Sequence, residues 1–255
     1  MRVRTIELPV PPDPPGALEV FLEAASVAPV ADVTVFPELC TTGYVLDQLP
    51  SLALEEGSLA ALPASGFCRA NSCWLIAGTH PVRSGRGIVN RLAVFAPDGS
   101  LAHTTDKVHL FRQMGEDSVF MPGYPAGPFD LGGTRAGAIV CYDLRFPELS
   151  RRLTLAGARI VFAPAQWPES RQDLFRCLIR ARSAEAQVFF VGCNIGGSHL
   201  GVNFGGGGGV AHPSGALLEP LSVAEGVNEY SIDPGDVDIM RKKIDCLRDR
   251  LPDRY

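Results

Sequence analysis

Metal-ligand spacing is missing from this chain of 255 residues. Its seven cysteines form no CxxC pair and its five histidines show neither HxH nor HxxxH spacing, so neither a structural nor a catalytic metal is expected. The cysteines (40, 68, 73, 141, 177, 193 and 246) are odd in number and follow no regular frame. That excludes a disulfide scaffold and fits free thiols in a reducing cytoplasm. Basic runs are absent beyond Arg241-Lys-Lys243, and with a formal net charge of −5 no nucleic-acid surface is expected. A phosphate-binding GxxxxGK[ST] is also absent. The five-glycine run Gly205–Gly209 lacks the lysine and hydroxyl of that motif and reads as a mobile loop or tight turn. No cofactor is therefore expected. The charge-free stretch from Ala186 to Leu218 is too rich in Gly, Asn, Ser and His to span a membrane, and the first eight residues alternate like a strand rather than a signal peptide.

What is present is a chain 46% hydrophobic and 20% charged, enough to bury one large core, so a single domain over residues 1–255 is expected. Strand and helix patterns alternate. Strands are predicted at Val3–Leu8, Asp32–Phe36, Cys73–Val82, Ile88–Phe95, Leu101–Val108, Ala138–Val140, Arg159–Ala163, Val188–Cys193 and Glu229–Ile232. Helices are predicted at Pro14–Val27, Phe146–Leu155, Arg171–Ala186 and Gly235–Cys246, with a partly helical segment Leu52–Asn71 broken around Pro63–Gly66. Ala96-Pro-Asp-Gly99 and Pro213-Ser-Gly215 are hairpin turns. Strand–helix units with hairpins between them imply mixed sheets covered on both faces.

Three strand ends carry chemistry. Cys141 ends an apolar run in Val140-Cys-Tyr-Asp-Leu-Arg-Phe-Pro-Glu148 and precedes a helix opened by Pro147, where free backbone N–H groups favour a thiolate and an oxyanion. Glu38 follows a buried strand and a proline in Phe36-Pro-Glu-Leu-Cys-Thr-Thr-Gly-Tyr44, where burial suits a carboxylate to general-base work. Lys107, in Asp106-Lys-Val-His-Leu-Phe111, is costly to bury unless it meets a carboxylate or a developing negative charge. Taken singly, each also fits an ordinary strand terminus or a small buried thiol.

In this order along the chain, the three motifs resemble the nitrilase (carbon–nitrogen hydrolase) superfamily. The resemblance implies a Glu38–Lys107–Cys141 triad, with Glu38 as base, Lys107 and the Tyr142 N–H as oxyanion holders, and Cys141 as the nucleophile that carries a thioester. It implies a second glutamate at Glu116, although Asp117 is adjacent. Asp143, Arg145 and Glu148 resemble a second catalytic set but read as structural: Arg145 pairs with a carboxylate and fixes the turn presenting Cys141, with a direct substrate role as the alternative. Within the superfamily, Ala163-Pro-Ala-Gln-Trp-Pro-Glu-Ser-Arg171 is most similar to the amidase branch acting on ω-amides of dicarboxylic acids. In that branch Trp167 would line the pocket and Arg171 would meet a substrate carboxylate; Trp167 also reads as a core aromatic. The chain departs from that branch at Ser170–Phe175, at Glu185-Ala-Gln187 and within the glycine run.

The activity implied is hydrolysis of a small linear carboxamide to an acid and ammonia through an acyl-enzyme. The alternatives are an N-carbamoyl amine or amino-acid hydrolase, a nitrilase (disfavoured by CYDLRFPE around Cys141), and a non-catalytic binding protein of the same fold. The implied fold is a four-layer α-β-β-α sandwich with mixed sheets, forming a homodimer or larger homo-oligomer with residues 247–255 as a C-terminal arm.

Overall fold

The computed structural model describes residues 1–11 and 16–254. Period-2 alternation builds the first sheet. β1 (Arg2–Ile6), β2 (Val33–Val35), β3 (Leu54–Glu55), β4 (Trp74–Ser84), β5 (Gly87–Phe95) and β6 (Leu101–Asp106) belong to it. A second sheet holds β7 (Phe129–Leu131), β8 (Thr134–Ala138), β9 (Ile160–Ala165), β10 (Phe189–Asn194) and β13 (Gly209–Ala211), and β11 (Gly196–His199) and β12 (Val202–Gly205) make a separate hairpin. β14 (Ser222–Ala224) and β15 (Val227–Ser231) return the chain to the first sheet. Strand order is β14-β15-β1-β2-β4-β5-β6 in the first sheet, with β3 beside β4, and β13-β10-β9-β8-β7 in the second. Both sheets are mixed: β1–β2–β4 and β8–β9–β10 run parallel while the hairpin partners run antiparallel.

Adjacent residues serve opposite layers. Ile76, Leu92 and Val94 point to the seam between the sheets and meet Phe162, Val191 and their neighbours. Leu75, Ala77, Ala93 and Phe95 point outward to helices α1 (Ala17–Ala25) and α3 (Pro63–Asn71). Helix α1 docks through Leu18, Phe21, Leu22 and Ala25, one stripe at helical spacing. On the far side α4 (Pro147–Leu155) and α5 (Gln172–Ala186) cover the second sheet, α5 through Phe175, Ile179 and Ala186. The result is the four-layer α-β-β-α sandwich. A short helix α2 (Leu49–Leu52) and a C-terminal α6 (Asp236–Lys243) complete the helices used below. No described helix is long and apolar enough to cross a membrane.

Differences from the expected elements have local causes. Pro63 opens α3 instead of breaking a helix, because a proline at the first helical position gives up an N–H that has no intrahelical acceptor. The strand before Cys141 lies at Thr134–Ala138, earlier than Ala138–Val140, since Ile139 and Val140 already lead into the turn. The expected start of the first helix at Pro14 lies outside the described residues. The tail after Leu247 is exposed, with one 3-10 turn at Pro252–Arg254, and Tyr255 also lies outside the described residues.

Within Gly205–Gly209, Gly206, Gly208 and Gly209 are buried. A side chain on Gly208 would come within 2.3 Å of both the Glu7 carboxylate and the Gly192 carbonyl. Glu7, just past β1, accepts N–H bonds from Gly208 (3.0 Å) and Asn194 (3.2 Å). It borders a cavity of about 640 Å³ shared with Arg176, Tyr230 and the glycine run. Burial pushes the Glu7 carboxyl up to about 7, against the pull of those N–H donors. A carboxyl raised in the folded state binds its proton more tightly there, so its contribution is present at low pH and is lost as pH rises toward 7. Glu7→Gln should therefore match wild-type stability below about pH 4.5 and gain on it by about 3 kcal/mol by pH 8, read from urea unfolding across that range. A pH-independent difference would show that Glu7 does not titrate in this window.

Candidate active site

Glu38, Lys107 and Cys141 each follow the end of a strand at the sheet seam, and Glu116 comes from the loop after β6. After β2 the chain turns through Pro37 and Glu38, and Leu39 takes a positive φ of 43°. A bulge in β4 makes room for this turn: a Cβ on Gly78 would lie 2.2 Å from the Pro37 carbonyl, and Thr79 Oγ1 accepts the Leu39 N–H at 2.9 Å. Lys107 follows β6, its own N–H donating to the Asn90 carbonyl of β5 at 2.9 Å. Glu116 sits at the start of a 3-10 turn, Glu116–Ser118. Cys141 begins another, Cys141–Arg145, with a φ of 48°. Such left-handed geometry is uncommon for a residue with a side chain and is held here by the surrounding contacts.

These elements bring Glu38, Lys107, Glu116 and Cys141 together in one site. Lys107 Nζ lies 2.8 Å from Glu38 Oε1 and 2.5 Å from Glu116 Oε1, and all three side chains are fully buried. Asn90 Nδ2 also donates to Glu38 Oε1 at 2.8 Å, which leaves Oε2 buried and without a protein partner. Glu116 is held by the Tyr44 hydroxyl (2.6 Å) and the Phe111 N–H (2.9 Å), so it, and not the exposed Asp117, is the inward carboxylate. Burial pulls the Lys107 ammonium down, but Glu38, Cys141 and Glu116 outweigh it and hold the lysine above its ordinary range. Burial and then the negative Glu38 push the Cys141 thiol well up, against the opposite pull of Lys107. Tyr44 is raised by burial and by the same carboxylates and stays a neutral donor. The resting site is therefore a protonated lysine between carboxylates, facing a neutral thiol.

Above the thiol a narrow cavity of about 20 Å³ is lined by Phe111, Cys141, Tyr142, Gln166, Trp167 and Arg171, among others. Tyr142, second residue of its 3-10 turn, has an N–H at the end where such turns offer free donors. Trp167 borders this cavity and packs on Phe175 at 5.4 Å between ring centroids. Asn194 clamps its backbone, accepting the Trp167 N–H at 2.7 Å and donating to its carbonyl at 2.9 Å. Arg171 lies over Phe111 at 5.5 Å.

Arg145 departs from expectation. Its guanidinium lies over Trp167 (5.0 Å) and Tyr142 (5.8 Å) at the cavity, and other residues fix the turn. Arg182 donates to the carbonyls of Leu144 and Arg145, each at 3.0 Å. Asp143 accepts the backbone N–H groups of His109 (2.8 Å), Val140 (3.2 Å) and Val108 (3.3 Å) and pairs with the His109 ring at 2.8 Å. Asp143 thus ties the lysine loop to the cysteine turn. Sequence reading passed over Asn90 and Gln166. The one available signal was a polar side chain inside the apolar strand Ile88-Val-Asn-Arg-Leu92. Among the described residues no group of three or more His, Cys, Asp and Glu is placed to hold a metal.

Comparison with known proteins points one way. The carbon-nitrogen hydrolase family model matches residues 6–242. The chain is 34% identical to 2-oxoglutaramate amidase of Bacillus subtilis (strain 168), covering 93% of this chain and 91% of that one. It is 32% identical to omega-amidase YafV of Escherichia coli (strain K12), covering 73% and 71%. Among solved structures it is similar to an amidase from Nesterenkonia sp., with a TM-score of 0.82 at 26% identity over 96% of this chain and 95% of that one.

Removing one member of a buried ion cluster strands the charges left behind. Lys107→Met should lower the free energy of unfolding by about 3–5 kcal/mol, whereas Glu38→Gln, which leaves Glu116 to hold the ammonium, should cost clearly less. Equal losses in guanidinium titrations would contradict this account of the cluster.

Proposed function

The chain belongs to the carbon–nitrogen hydrolase family, and on that premise we propose that it hydrolyses a small linear carboxamide through a thioester on Cys141. The observation that carries this reading is the fully buried Glu38–Lys107–Glu116 cluster beside the Cys141 thiol. Burying three charges costs several kcal/mol with no structural need, and the site spends that cost on transition-state stabilisation.

In the proposed mechanism Glu38 Oε2, the carboxylate oxygen left without a partner, takes the thiol proton as Cys141 Sγ bonds to the amide carbon. The neutral resting thiol means that this transfer accompanies attack, with substrate excluding water from the site. Negative charge moves to the former carbonyl oxygen, where the Lys107 ammonium and the Tyr142 N–H meet it. The tetrahedral adduct collapses as Glu38 returns the proton to nitrogen. The C–N bond breaks, ammonia leaves, and the acyl group remains on sulfur. Glu38 then takes a proton from water, whose oxygen attacks the thioester, and the acid departs as the thiol is restored. Glu116 holds Lys107 in place, backed by Tyr44 and the Phe111 N–H.

The acid portion of the substrate is proposed to be short and to end in a carboxylate. Arg171 and Arg145 bring two guanidinium groups to the cavity that Trp167 lines, and two such groups suit the carboxylate end of an ω-amide of a dicarboxylic acid. The amidase names of the two sequence relatives point the same way. A homodimer remains part of this proposal, with the exposed tail after Leu247 as the arm.

Wild-type protein should release ammonia from four- and five-carbon ω-amides. Cys141→Ala should lose at least ~1,000-fold, and an acyl adduct should appear on Cys141 by mass spectrometry. No ammonia from any amide, carbamoyl amine or nitrile would sink the hydrolase reading; an unchanged rate in Cys141→Ala would sink the mechanism. Arg171→Ala should raise KM for the ω-amide about tenfold with a smaller change for an uncharged amide of similar length.

A further inference from the structure

Gln166 follows β9 directly, is 3% exposed, and borders the cavity over Cys141. Its Nε2 donates to the Glu38 carbonyl at 2.7 Å and to the Leu39 carbonyl at 3.3 Å. Both neighbours are acceptors, so the nitrogen must be the end that faces them and Oε1 must face away. That oxygen is buried and has no protein partner. Glu38 Oε2 is in the same condition. The site therefore holds two buried acceptors without a protein donor beside a nucleophile, and a buried acceptor without a donor is costly.

A ligand with two N–H donors on one atom relieves both. We infer that Gln166 Oε1 and Glu38 Oε2 together receive the NH2 group of a primary carboxamide, and that Gln166 thereby selects primary amides over N-substituted amides and esters. The inference rests on the reading of Glu38 and Cys141 given above. It also assigns Gln166 a part in the chemistry. Once Glu38 has taken the thiol proton, Oε2 becomes a donor toward nitrogen. Gln166 Oε1 then keeps an N–H and fixes rotation about the C–N bond, so that the nitrogen lone pair points at the proton it must accept. The C–N bond breaks with that proton on nitrogen, and ammonia leaves with no other reactant consumed. An ester offers no N–H to Gln166 and gains nothing from it. An N-methyl amide puts a methyl group against one of the two acceptors.

The test compares a primary ω-amide, its N-methyl amide and the methyl ester of the same acid, on wild type and on Gln166→Met, by kcat/KM. Wild type should prefer the primary amide to the N-methyl amide by about 100-fold or more. Gln166→Met should lose about 10- to 100-fold more on the amide than on the ester, since the lost support of the Glu38 turn is common to both. A fall of equal size on amide and ester would reduce Gln166 to a support for the Glu38 turn and overturn the inference. So would equal wild-type rates on the primary and N-methyl amides, a comparison that stands even where Gln166→Met fails to fold. If wild type cleaves neither amide nor ester and Cys141 is never acylated, the hydrolase reading beneath the inference fails with it.

Discussion

One ammonium held between two carboxylates is the constraint around which this protein is arranged. Lys107 touches Glu38 on one side and Glu116 on the other, with no exposed surface on any of the three. The cluster carries a formal charge of one negative unit when the thiol is neutral, and it tolerates dehydration only because every contact is short and directional. Asn90, Tyr44 and the Phe111 N–H are the supports that make those contacts fixed. They also sort the oxygens of Glu38: one is tied down by Asn90 and Lys107, and the other is left free. The split gives a single carboxylate both a structural bond and a reactive atom.

Much of this could be seen in the sequence, for a physical reason. Glu38, Lys107 and Cys141 each interrupt an apolar run at its end, and a charge or thiol at such a junction stands out against the strand before it. Glu116 needed the motif order to be found, since Asp117 beside it has the same chemistry and only the fold turns one inward. The supports were hidden. Asp143 acts through four contacts to residues near in space, most of them across the loop after Lys107, which no spacing rule reports. Arg145 has the charge of an ion-pairing residue and is captured instead by two aromatic faces, a choice decided by packing. Short edge strands such as Phe129–Leu131 and Ser222–Ala224 have too few residues to show a period.

The glycine run shows how composition can mislead. Five consecutive glycines suggest slack, yet Gly206 lies against Glu7, Gly207 against Gln172, and Gly208 against Glu7 and the β10 backbone, with no room for a side chain at Gly208. Smallness is what that segment supplies at Gly208. The same segment is joined to the reaction cavity by Asn194, which donates to the Gly206 carbonyl at 2.8 Å while holding the Trp167 backbone.

Glu38 and Lys107 hang from the first sheet, and Cys141 and Gln166 from the second. The reacting atoms therefore face each other across the gap that Val35, Ile76 and Leu92 on one side and Phe162 and Val191 on the other keep filled. The interior works like the spacer in a pair of callipers: its thickness sets the opening at the tips. Apolar residues that never meet a substrate thereby control how far a proton must travel between sulfur and carboxylate. Drift in their volume across related sequences would be felt as a change in rate before it was felt as a loss of fold.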